Sequence, residues 1–99
     1  MIELKTLHPE SVDRALEKAE QYRLLNVPRL AESICLDILE IQPDHQPATI
    51  TLLLALTDQF LNDGVEVSRT KVEEVLSRLT EPYDQAYYHG LVLERRAIA

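Results

Sequence analysis

The chain predicts an all-α protein of about five helices. Apolar residues recur at helical spacing in five separate stretches, and proline or Asn-Asp-Gly signals punctuate the gaps between them. No stretch shows the apolar–polar alternation of a half-buried strand, and two glycines in 99 residues are too few for a turn-rich sandwich or barrel.

The first helix is predicted from about Pro9 to Leu25, with Val12, Ala15, Leu16, Ala19 and Tyr22 on one face. Pro9 suits the first turn, where its missing N–H costs nothing, and Glu10 complements the positive end of the helix dipole. Asn26-Val27-Pro28 breaks the pattern, because a residue before proline is pushed out of the helical region. The second helix runs from about Pro28 to Ile41, carries Ala31, Ile34, Cys35, Ile38 and Leu39, and ends before Pro43. The third, from about Gln46 to Leu61, is apolar nearly all round, with Ile50, Leu52, Leu53, Leu54, Ala55, Leu56 and Phe60. Such a helix belongs in the middle of a stack. Asn62-Asp63-Gly64 reads as a turn. The fourth helix is expected from about Val67 to Thr80, with Val72, Val75, Leu76 and Leu79 inward. After Glu81-Pro82, the fifth is expected from about Tyr83 to Ala97, with Ala86, Tyr87, Gly90, Leu91 and Leu93.

Bulk properties narrow the function classes. Ninety-nine residues make one domain, spanning 1–99, that buries enough surface to hold a core without staples. A net charge of −7 and a pI near 4.8 disfavour nucleic acid and anionic membrane surfaces, since both require a basic face. An apolar or basic protein partner is easier to accommodate. The lone cysteine, Cys35, rules out an intramolecular disulfide and fits a reducing compartment. The first nine residues lack the apolar run of a signal peptide, and the longest apolar run, Leu52 to Leu56, is far short of the ~20 residues of a membrane span. A cytoplasmic location is therefore expected.

Candidate chemistry is sparse. His8, His45 and His89 are too widely spaced for a zinc motif, so no metal or cofactor is expected. Cys35, in the centre of an apolar stripe, reads as a core residue. Asp37, Glu40, Asp44, Glu73 and Glu74 read as solvated helix faces, not as a catalytic carboxylate pair. With no phosphate loop, nucleophile elbow or Ser/His/Asp arrangement, no catalytic residue is assigned and the chain is not expected to be an enzyme. Tyr83, Tyr87 and Tyr88 are the one aromatic cluster. They read either as packing against the fourth helix or as a binding surface.

The stretch from Tyr22 to Ala48 adds a second line of inference. Ala31 follows Tyr22 by nine residues, Cys35 follows Ala31 by four, and Pro43 follows Cys35 by eight. This resembles the second half of a tetratricopeptide repeat, whose pattern is W-x₂-L-G-x₂-Y…A-x₃-F…P over about 34 residues. Tyr22 and Leu56 are 34 residues apart, whereas Ala48 and Ala86 are 38 apart, which puts four extra residues in the loop from Asn62 to Val67. The chain departs from the family pattern at the early tryptophan (Ala15, then Thr49), at the small position that lets paired helices approach (Ala19, then Leu53) and at Ile38, where a second alanine is usual near the end of the first hairpin.

The resemblance implies stacked helix hairpins that act as a scaffold or protein-interaction module. It also implies a concave groove lined by the first helix of each hairpin, here Leu16, Glu20, Arg23, Ile50, Leu54, Thr57, Asp58, Tyr88, Val92 and Arg95. The positions that hold a peptide's terminal carboxylate in one subfamily are Leu16, Glu20, Thr51, Gln85 and His89 here. Acidic carboxy-terminal peptides are therefore not expected as ligands. An apolar or basic peptide or helix is. The rival reading is structural: the chain as an oligomerisation element, with homo-oligomers formed through its own surface, or as the amino-terminal part of a longer solenoid. Tyr87, Leu91, Leu93 and Ile98 spread around the fifth helix leave that edge in need of cover by a second copy or by further helices.

Overall fold

The computed structural model describes residues 9–62 and 69–98. Within them the chain forms α1 (Pro9–Leu24), α2 (Pro28–Ile41), α3 (Gln46–Asn62), α4 (Arg69–Ser77) and α5 (Pro82–Ile98), and no described residue is in a strand. The protein is all-α, built from stacked helix hairpins.

The turns follow from local chemistry. Asn26 sits in the left-handed region at φ 62°, which asparagine tolerates better than most residues. Its N–H donates to the Arg23 carbonyl at 3.0 Å, and the Val27 N–H donates to the Tyr22 carbonyl at 2.8 Å. These two bonds are a Schellman cap that satisfies the last carbonyls of α1. Pro28 then opens α2 in its first turn, where the absent N–H costs nothing. His45 caps α3: its Nδ1 accepts from the Ala48 N–H at 3.1 Å, and its carbonyl accepts from the Thr49 N–H and hydroxyl.

The fourth helix is shorter than its apolar pattern predicts. Residues 67 and 68, where it was expected to begin, lie outside the described residues, as does most of the Asn62–Val67 loop expected to hold the extra residues. At its far end the ladder tightens. Arg78 and Leu79 donate to Val75 and Leu76, three residues back, and Gln46 at the start of α3 takes over the next groups. Gln46 Nε2 donates to the Arg78 carbonyl at 3.1 Å, and its Oε1 accepts from the Thr80 N–H at 3.0 Å. A side chain from a neighbouring helix thus replaces the last turn.

Helix α3 packs against all four others, as its all-round apolar sequence predicts. Helix α2 lies against α1 and α3, and α4 lies against α3 and α5, so α1, α3 and α5 form one layer and α2 and α4 a second. Ala19, Ala31, Cys35, Ile38, Leu53 and Ala55 are fully buried where helices approach. Burial pushes the Cys35 thiol up to about 12, which keeps it protonated and unreactive. Gln59, buried in α3, donates to Glu32 of α2 at 2.7 Å, and Lys71 of α4 reaches the other oxygen of that carboxylate at 2.6 Å. One carboxylate therefore ties α2, α3 and α4.

Candidate interaction face

The layer of α1, α3 and α5 presents a face that the second layer leaves uncovered. The central helix shows this most clearly. From Ala48 to Gln59 its residues are buried except Ile50, Leu54 and Asp58, which recur every four positions and are partly open. This stripe is flanked on α1 by Leu16, Glu20 and Arg23 and on α5 by Tyr88 and Arg95, all partly or fully exposed. Two residues expected in the lining lie elsewhere. Thr57 is fully buried and donates its hydroxyl to the Leu54 carbonyl at 2.8 Å, while Val92 is in the core at 4% exposure. Each sits one helical step inward of the open stripe.

Three of the expected lining residues meet directly. Arg23 donates to Asp58 through Nε at 2.6 Å and Nη2 at 3.2 Å, and Arg95 donates to the same carboxylate through Nη1 at 2.9 Å. All three side chains are three-quarters or more buried. They stand near the carboxy-terminal ends of their helices, so this carboxylate locks α1, α3 and α5 in parallel at one end of the face. Beside it, the Arg96 guanidinium lies over the Phe60 ring, 4.6 Å from its centroid.

The aromatic cluster does not bury itself against α4. Tyr83 is 77% and Tyr87 55% exposed. Their rings stack at 6.3 Å, Tyr87 meets Tyr88 edge-on at 4.9 Å, and only Tyr88 reaches the core. Burial, with Asp84 nearby, pushes the Tyr88 hydroxyl upward. Between α4 and α5 runs an open groove of about 640 Å³ lined by Glu73, Leu76, Ser77, Pro82, Gln85, Ala86 and His89. Sequence reasoning also passed over an exposed apolar tip, Leu24, Leu25, Val27 and Leu30, at the α1–α2 turn. The doubled leucine at the end of a periodic stretch was its one available signal.

Among the described residues, no three His, Cys, Asp or Glu side chains converge as a metal site requires. His8 lies outside the described residues, His45 is engaged as a helix cap, and His89 borders the α4–α5 groove. No described helix is long and apolar enough to cross a membrane. Comparison with known protein families, curated proteins and solved structures finds no match for this chain.

Proposed function

We propose that the protein is a tetratricopeptide-like interaction module that receives an apolar helix or extended peptide along the face of α1, α3 and α5. The observation that carries this reading is the stripe of α3. A helix buried on every other side keeps Ile50 and Leu54 partly open on one face, where no internal packing uses them fully. The charges bordering the stripe, Glu20 and Asp58 against Arg23 and Arg95, offset one another. Its apolar middle therefore sets the preference, and basic residues outside the docked segment meet the acidic remainder of the chain.

A panel of fluorescent amphipathic peptides, neutral, basic and acidic at equal hydrophobicity, tests this by anisotropy. Neutral and basic peptides are expected to bind, and Ile50→Glu with Leu54→Glu is expected to weaken them by more than about tenfold while the helical circular dichroism stays unchanged. Peptides that bind the double variant as well as the parent would place recognition on another surface.

A further inference from the structure

One exposed side of α5 is largely apolar. Tyr83, Ala86, Tyr87, Gly90, Leu93 and Ala97 all lie on it, at the three- and four-residue spacing of one helix face, with Glu94 the one charged side chain among them. Gly90 sits mid-helix, and a Cβ added there would meet nothing within 4 Å. Packing within one chain therefore does not call for this glycine, although glycine weakens a helix relative to alanine. What glycine does provide is close approach of another backbone.

Charge decides what covers the stripe. Of ten Lys and Arg and 17 Asp and Glu, residues 69–99 hold five basic and five acidic. The remaining five basic and twelve acidic lie in residues 1–68, so the whole net charge of −7 resides there. The α4–α5 end is neutral. Two copies meeting through it keep the acidic residues of 9–62 apart, whereas contact through those residues sets like charges together. A basic partner finds no net attraction at α5.

We propose that α5 is a homodimer surface, in which two copies pair their α5 helices antiparallel about a two-fold axis next to Gly90. The stripe complements itself in that arrangement. Tyr87 of one copy meets Leu93 of the other, three residues on either side of the axis. Tyr83 meets Ala97, seven residues away. Antiparallel pairing also opposes the two helix dipoles. This surface is separate from the face proposed to bind peptide, and the two can fail independently.

Light scattering and sedimentation equilibrium on the full chain, from low micromolar to millimolar, test the proposal. The expected mass is twice the 11.3 kDa of one chain at the upper end. Tyr87→Glu with Leu93→Glu is expected to raise the dimer dissociation constant more than about a hundredfold with unchanged circular dichroism. The Ile50→Glu, Leu54→Glu variant keeps the parental constant. Because Cys35 is buried, a variant carrying Ala86→Cys and Glu94→Cys, four residues on either side of the axis, reports the register: a mild oxidant is expected to cross-link this pair between copies far faster than Asp13→Cys on exposed α1. A parent that stays monomeric across the range overturns the proposal and leaves α5 to a different partner or to solvent. A dimer that survives the Tyr87, Leu93 double substitution, or that cross-links as fast through Asp13→Cys as through the two α5 cysteines, overturns it as well.

Discussion

Arg23 and Asp58, 35 positions apart, form a two-pronged ion pair that fixes the end of α1 against α3, with Nε at 2.6 Å and Nη2 at 3.2 Å. Arg95 of α5 approaches the Asp58 oxygen shared with Nη2, at 2.9 Å. The carboxylate is the middle of this arrangement. Without it two guanidinium groups face each other, largely out of water, with no counter-charge.

Asp58→Ala is therefore expected to destabilise the fold by about 2 kcal/mol, the scale of a charged hydrogen bond lost from a partly buried site. Arg95→Ala, which leaves the two-pronged Arg23 pair intact, is expected to cost less. Urea denaturation of both variants checks the order. Equal midpoints for Asp58→Ala and the parent would show that the pair contributes nothing net, as many exposed ion pairs do.

Glu32 gives a pH dependence. Burial works to raise its pKa, but hydrogen bonds from Lys71 and Gln59, with the positive charge of Lys71, outweigh it and hold the carboxyl below its ordinary value of 4.5. A group whose pKa is lowered by folding contributes stability that is present above the unfolded value and lost as pH falls through the folded one. The stability difference between the parent and Glu32→Gln is thus expected to be constant at neutral pH and to close below about pH 4.5. Melting curves from pH 7 to pH 3 measure it, and a gap that widens toward acid would contradict the assignment.

Ala31 has no exposed surface and lies where α2 meets its neighbours. Ala31→Leu forces three extra heavy atoms into that contact and is expected to cost about 1–3 kcal/mol. Ser33→Leu, two residues along on the exposed side of the same helix, is the control and is expected to be near neutral. Matching denaturation midpoints would show that the helices part readily at this point.

The residues that spoke plainly in the sequence were those whose role is local. Pro28 and Pro43 bracket α2, and the observed Pro28–Ile41 agrees with the predicted span because proline acts through its own ring. The all-round apolar character of residues 50–60 placed α3 at the centre, since burial on every side leaves no other composition. The site was less legible. Thr57 and Val92 were expected in the lining, yet a rotation of one helical step turns such positions into the core, and periodicity alone does not fix rotation that finely. Arg23, Asp58 and Arg95 were each named for the lining, but their meeting depends on the axial register of three helices. The short α4 shows the same limit: its end is set by Gln46, more than 30 residues earlier in the chain.

Gly90→Ala separates the two states of α5 in one measurement. In a single chain the added methyl meets nothing, so it is expected to strengthen the helix by roughly 0.5–1 kcal/mol. In the antiparallel pair the same methyl stands at the axis, where the two backbones are closest, and pushes them apart. Thermal melts at low concentration, where the chain is monomeric, are then expected to show a higher Tm for Gly90→Ala than for the parent. Melts well above the dimer dissociation constant are expected to show that gain shrinking or reversing, because the parent alone draws further stability from association. The sign change with concentration is the diagnostic. A gain that is the same at every concentration would mean that Gly90 is no closer to a second copy than any other exposed position on the helix.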